Sequence, residues 1–248
     1  MPAVLPLTGE RTVPGVPAEN YWFRRHEAAY EFVAQFVRAS TVLEVGCGEG
    51  YGTDRLATAA RRVVGVDYDA LTAKHAHETY PSAQFVRANL AALPIADGAV
   101  DVVATLQVIE HVWDHPQFVR ECRRVLRADG LLVVTTPNRL TFSPGLDTPL
   151  NPFHTKEFTA DELCVLLTSC GFAIESVQGL HQGPRLDEFD VRYGSFVDAQ
   201  LAVPPEQWSA GLLGDVVSVG VDDFSVVGHW TRDVDESLDL VVLARPAG

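Results

Sequence analysis

Hydrophobic positions in the first half of the chain fall into short solid runs, separated by stretches in which they recur every three or four residues. Thr41–Val45 is the first run, 62–66 the second, Gln84–Arg87 a weaker third, 101–106 the fourth and 131–135 the fifth. Continuous apolar runs of this length predict strands covered on both faces. Helical spacing over 51–60, 70–80 and 114–126 predicts the segments that join them. The last of these has Asp114 as its cap and Pro116 in its first turn, with Phe118, Val119, Cys122, Val125 and Leu126 as its buried stripe. Strand and helix in alternation imply a parallel sheet with helices on both faces, an α/β fold of Rossmann-like type.

The flanks are less regular. Residues 1–17 are rich in proline and predict an arm. A helix follows, with Asn20 as its cap and Trp22, Ala29, Tyr30, Val33, Phe36 and Val37 on one face. Beyond the fifth run comes a loop with Pro137, Pro144, Pro149 and Pro152, then the capping box Thr159-Ala160-Asp161-Glu162. Its helix buries Leu163, Leu166, Leu167 and Cys170 and stops at Gly171. Strands are predicted over 172–177 and 238–244. The intervening residues 181–236 far exceed the roughly 12–15 residues of an ordinary connection. Phe189, Tyr193, Phe196, Trp208, Phe224 and Trp230 predict an ordered insert there, read as a substrate cap or an oligomer contact. The expected division is an arm and lid helix over 1–38 and a main domain over 39–248.

Composition narrows the chemistry. At 248 residues and 47% hydrophobic, the chain can bury one large core. No apolar run approaches the roughly 18 residues of a membrane span, and the N-terminus lacks the basic start and apolar centre of a secretory signal. Cys47, Cys122, Cys164 and Cys170 have no framework or zinc-like spacing, which suits a reducing cytoplasm. A formal net charge of −14 argues against nucleic-acid partners, whose affinity comes mainly from Lys and Arg on phosphates. A small neutral or cationic partner fits better.

The first predicted strand ends in Leu43-Glu44-Val45-Gly46-Cys47-Gly48-Glu49-Gly50, three glycines at alternate positions behind an acid. Glycine at a strand-to-helix turn permits positive φ and brings a ligand against bare backbone. Asp67 closes the second strand, roughly 20 positions beyond Gly46, where nucleotide-binding folds keep a ribose-binding carboxylate. The dinucleotide fingerprint G-x-G-x-x-G would need glycine at position 51, which is Tyr51, so a nicotinamide dinucleotide is the weaker reading.

Glu44-x-Gly46-x-Gly48-x-Gly50 with Asp67 resembles the first two motifs of class I S-adenosylmethionine-dependent methyltransferases. The resemblance implies seven strands with the last antiparallel, and S-adenosylmethionine as cofactor. It implies that Glu44 supports the amino end of that cofactor and that Gly46, Cys47, Gly48 and Gly50 pass their backbone along it. It further implies Asp67 on the ribose, Tyr68 beside the adenine, Asn89 facing the adenine amine and Leu90 packing on the ring, with Leu106 and Gln107 meeting the methionine portion. Gln107-Val108-Ile109-Glu110-His111 is similar to the Glu-x-x-Glu-His segment of metal-dependent O-methyltransferases, including ubiquinone-pathway enzymes and small-RNA 2′-O-methyltransferases. In those families the two glutamates, the histidine and a later histidine bind a magnesium-like ion. Gln107 departs from that pattern, and His154, in Asn151-Pro152-Phe153-His154, stands in the place of the later histidine.

Three readings of Glu110, His111 and His154 remain open: ligands of Mg²⁺, a metal-free site with His111 or His154 as general base, or a brace of the sheet edge. Residues 10–25 and the Asn-Pro-Phe-His loop resemble actinobacterial sugar O-methyltransferases, including the enzyme that methylates the anomeric hydroxyl of methylated mannosides. That likeness implies a small sugar acceptor. Phenol or quinone methylation is the rival enzyme reading, and a non-catalytic cofactor-binding subunit is the rival from another class. Tyr21, Trp22, Arg25 and His26 lie in the helix that in this fold often closes over the cofactor, though ordinary packing and solvation is the favoured reading. His181 and His229 bracket the insert, and either could face substrate, a solvated loop residue being the commoner case.

Overall fold

A computed structural model describes Leu5 and residues 11–248, so most of the arm expected over 1–17 lies outside the described residues. Eight strands form one sheet: β1 Thr41–Val45, β2 Arg62–Asp67, β3 Gln84–Arg87, β4 Val100–Leu106, β5 Leu126–Pro137, β6 Phe172–Gln182, β7 Phe224–Gly228 and β8 Asp239–Pro246. Their order is β3-β2-β1-β4-β5-β8-β6-β7. β1 to β5 pair in parallel, and β8 runs antiparallel between β5 and β6. The strand order reverses between β1 and β4, the switch point at which open α/β sheets bind ligands.

The solid apolar runs work as expected. Alternate residues of each strand point to opposite faces, so Val42, Val102, Val133 and Val241 join one core while Leu43, Val103, Leu132 and Val242 join the other. The first face is covered by α1 Asn20–Ala34 and α2 Tyr51–Ala57. The second is packed by α4 His115–Val125 and α6 Ala160–Ser169, which follow α3 Ala70–Thr79 and the short α5 Arg139–Phe142 in the chain. The capping box at Thr159 and Glu162 forms, and Asp114 caps α4. No helix among the described residues is long and apolar enough to cross a membrane.

Four expectations are corrected. The sheet has eight strands rather than seven, because Phe224–Gly228 of the insert pairs antiparallel with β6. β5 begins at Leu126, where Leu126 pairs with Val100 before a register shift, so 126–130 is strand and not connection. His181 lies on β6 and is buried, not solvated. Asn20 does not cap α1. It is the first helical residue, and its Nδ2 donates to the carbonyls of Val216, Val217 and Val219 at 3.0, 3.1 and 2.9 Å.

Those bonds show how the insert is used. It folds as α7 Pro184–Tyr193, α8 Phe196–Leu201, α9 Ala210–Ser218 and β7. Phe189, Phe196, Leu212, Val216 and Phe224 share a core with Tyr21 and Val33 of α1. The insert therefore buttresses α1, and Arg25 locks the same helix to the sheet. Its Nε donates to Asp239 Oδ2 at 2.7 Å and its Nη2 to Asp239 Oδ1 at 2.6 Å, with both side chains almost wholly buried.

Candidate active site

The carboxyl ends of β1 and β4 open onto a small cavity of about 60 Å³, walled by the glycine turn, Tyr30, Tyr51, Leu106 and Gln107, with Thr135 of β5 beside them. Gly46, Gly48 and Gly50 have φ of 84°, 51° and 104°, so the turn uses the left-handed region at each of them. A Cβ on Gly46 would lie 2.4 Å from Val108, whereas one on Gly48 would meet no protein atom within 4 Å. Gly46 is thus needed for packing, and Gly48 presents bare backbone to open space.

Acidic side chains, Glu44 and Glu49 buried and Asp67 half-buried, hold the turn in place. Asp67 Oδ2 accepts from Gly48 N at 2.9 Å and Oδ1 from Asp69 N at 2.8 Å. Each oxygen keeps a further lone pair. Burial raises the Asp67 carboxyl despite these bonds. Glu49 accepts from Tyr80 OH at 2.6 Å and pairs with His75 Nε2 at 2.7 Å, which clamps the turn to the end of α3. Glu44 is fully buried behind Tyr30: Oε1 accepts from Tyr30 OH at 2.5 Å and Oε2 from Thr53 Oγ1. Desolvation pushes its carboxyl up to about 7. Both Glu44 oxygens are engaged by internal donors, so Tyr30 and not Glu44 forms the cavity wall. Cys47 is buried and its thiol is raised well above the usual range by desolvation. Tyr68 is exposed, Asn89 Oδ1 accepts from Ala91 N at 2.9 Å, and Leu90 is half-buried.

A larger cavity of about 390 Å³ adjoins the first and shares Arg11, Thr12, His26 and Gln107 with it. Its walls are largely apolar and aromatic, with Trp22 from α1, Phe142 from α5 and Phe153 from the loop beyond. Gln107 stands where the cavities join, at φ 56°, a conformation rare outside glycine and costing of order 1–3 kcal/mol. Its N–H donates to the Thr135 carbonyl at 2.9 Å and its Nε2 to Thr135 Oγ1 at 3.2 Å.

Glu110, His111 and His154 converge in this cavity, with ligand atoms within 4.8 Å of one another. Glu110 and His111 ride a 3₁₀ turn, Ile109–His111, directly after β4. His154 is delivered by a tight turn in which Asn151 Oδ1 accepts from Phe153 N at 3.0 Å. Glu110 is buried, accepts from Thr136 Oγ1 at 2.9 Å, and is pushed up to about 8 by desolvation. His154 Nδ1 lies 2.7 Å from Glu157 Oε1, and His111 Nδ1 lies 3.1 Å from the Phe153 carbonyl. Both acceptors require Nδ1–H, which puts each ring's lone pair on Nε2. Asn151 Nδ2, 3.1 Å from His154 Nε2, agrees with that tautomer.

A family model described as a methyltransferase domain matches residues 43–134, from β1 into β5. A chain from Mycolicibacterium smegmatis described as a probable S-adenosylmethionine-dependent methyltransferase is 53% identical over 247 residues, covering 98% of this chain and 96% of that one. The protein belongs to the S-adenosylmethionine-dependent methyltransferases. A ubiquinone biosynthesis O-methyltransferase from Chelativorans sp. is 31% identical over 109 residues, 42% of this methyltransferase and 43% of that enzyme. A SAM-dependent methyltransferase from Thermotoga maritima, described as a possible histamine N-methyltransferase, superposes with a TM-score of 0.61 at 16% identity, covering 92% and 94% of the two chains. At that identity the likeness concerns the fold alone.

The residues of this methyltransferase fit the cofactor. Gly48 offers an open backbone approach, and Asp67 offers two carboxylate oxygens beside it. They also fit a divalent cation, with one carboxyl and two Nε2 atoms, that of His154 becoming available once Asn151 Nδ2 gives way. An oxygen on each imidazole's far nitrogen is the usual support of a metal-binding histidine. Two nitrogens to one carboxyl is more nitrogen than Mg²⁺ prefers and is the softer kind of donor set that transition ions accept. The structure places Glu110, His111 and His154 side by side, three residues that the motif singled out in sequence. In sequence His26 reads as packing, whereas the ring lines both cavities, and Thr12 and Glu157 were not singled out, since their spacing carries no motif.

Proposed function

We propose that this methyltransferase methylates a hydroxyl of a small sugar, with Glu110, His111 and His154 at the acceptor end. The observation that carries the reading is the convergence of these three side chains in a cavity joined to the glycine-turn cavity through Gln107. S-adenosylmethionine, when bound, supplies a methyl group on a positively charged sulfur. The protein's first task is therefore alignment, which can lower a barrier by roughly 7–11 kcal/mol. Gly46, Cys47, Gly48 and Asp67 hold the donor side, with Leu106 and Gln107 at its inner end.

The second task is removing the acceptor proton, since a sugar hydroxyl is not nucleophilic at neutral pH. Glu110, His111 and His154 would hold a divalent cation, which when bound supplies Lewis acidity to lower the acceptor's pKa. His154 also has the build of a base, with Nδ1 oriented by the Glu157 carboxylate and the lone pair on Nε2. Trp22, Phe142 and Phe153 provide aromatic faces on which a pyranose ring can lie. The same apolar walls, with the ubiquinone O-methyltransferase likeness, favour a catechol-like quinol as the second reading.

Transfer of radiolabelled methyl to methyl α-mannoside, 3-O-methylmannose and a short-chain demethylated quinol tests the reading. We expect label on a mannoside, loss in EDTA, and recovery with Mg²⁺ or Mn²⁺. Full activity in EDTA with loss in His154→Ala would transfer the chemistry to the His154–Glu157 base. Label on the quinol alone would remove the sugar.

A further inference from the structure

His26 has no place in the motifs of the fold, yet it lines both cavities. It comes from α1, and a hydroxyl pair holds its ring from the donor side. Its Nδ1 lies 3.3 Å from Thr12 Oγ1 and 3.4 Å from Tyr51 OH, and those two oxygens are 2.9 Å apart. Tyr51, the first residue of α2, lines the glycine-turn cavity and not the larger one. The Nδ1 edge of the imidazole is thus held by the hydroxyl pair, which leaves Nε2 as the ring nitrogen free to serve the larger cavity that His26 also lines.

The hydroxyl pair can serve either neutral tautomer, because each hydroxyl both donates and accepts. In one of them Tyr51 OH donates to Thr12 and Thr12 donates to Nδ1, which leaves the ring hydrogen on Nε2. We propose that His26 is a positioning residue for the acceptor, donating a hydrogen bond from Nε2–H to an acceptor oxygen at the junction of the two cavities. The proposal rests on hydroxyl methylation as read above. A neutral donor suits this place because an imidazolium would repel the sulfonium across the junction. Desolvation, the largest influence on the ring, together with Arg25 and His111, lowers its pKa to about 4 against the opposing pull of Asp239, so the ring stays uncharged.

Two measurements test this. The first needs no acceptor: imidazole ¹⁵N shifts of the protein saturated with S-adenosylhomocysteine, between about pH 6 and pH 8. The Nε2–H neutral tautomer at His26 is expected, and either Nδ1–H or an imidazolium would overturn the proposal. The second uses the acceptor that wild type methylates in the panel above, so that failure of the hydroxyl reading appears first and separately. His26→Phe should raise acceptor KM at least tenfold, with S-adenosylhomocysteine affinity and the pH profile unchanged. His26→Gln, which retains an N–H donor, should recover most of the loss. An altered pH limb in His26→Phe would make His26 a base instead, and an unchanged KM would leave it as packing.

Discussion

Gly46 and Gly48 look alike in sequence and differ in what surrounds them. The missing side chain of Gly46 makes room for Val108, while that of Gly48 faces unfilled space beside Asp67. Gly48→Ala should therefore cost the fold only the left-handed penalty of about 1–2 kcal/mol. Its new methyl would stand where the donor approaches, and calorimetry should show S-adenosylhomocysteine affinity down at least tenfold. Unchanged affinity would move the donor away from this turn. Gln107 makes the converse point, since a non-glycine residue holds positive φ where the cavities meet, anchored twice to Thr135. Strain retained at a junction of binding sites is the mark of a residue kept for position.

At the scale of elements, α1 is the piece that brings the acceptor side together. It supplies Trp22, Arg25 and His26 to the larger cavity, and it is fixed by the Arg25–Asp239 pair and the Asn20 bonds to the insert. Removing one partner of a buried ion pair strands the other charge at a cost of about 3–5 kcal/mol. Chemical denaturation of Arg25→Met should show a loss of that size, and Arg25→Met with Asp239→Leu should regain most of it. If the double variant is no better than the single, the pair is not what docks α1.

The strands of the parallel half were legible because largely apolar, β-branched runs such as Thr41–Val45 and Val100–Leu106 are too short for buried helices and are bounded by turn residues, which suits a doubly covered sheet. β7 was not legible, since Phe224–Gly228 is short and becomes a strand only by pairing with β6. The start of β5, Leu126-Arg127-Ala128-Asp129-Gly130, likewise reads as a connection until its pairing is seen. Glu110, His111 and His154 could be found because motif residues carry their own signal. His26 lies in a helical stripe where a cavity residue and a core residue have the same spacing. Asn20 had the composition of a cap and was recruited by α9 carbonyls instead, a case of tertiary context overriding local preference.

Across the whole molecule, most buried acids have a basic partner, but Glu44 is sealed in without one, and stability should report it. Glu44 holds its proton to about 7 in the folded state, against an ordinary value of 4.5. A raised carboxyl contributes its stability fully below the unfolded value and loses it as pH climbs through the folded one. Wild type should therefore lose thermal stability relative to Glu44→Gln between about pH 4.5 and pH 8. A gap that stays constant over that window would mean the carboxyl ionises normally.

The strand contributed by the insert has an effect remote from chemistry. β7 covers Gln178–Gln182 of β6, which would otherwise be a bare ladder at the end of the sheet. The opposite border is β3, only four residues long. Exposed ladder edges recruit other chains. A variant in which 224–228 is prevented from pairing would be prone to polymerise edge to edge while its glycine turn and histidines stayed intact, so solubility would fail before catalysis.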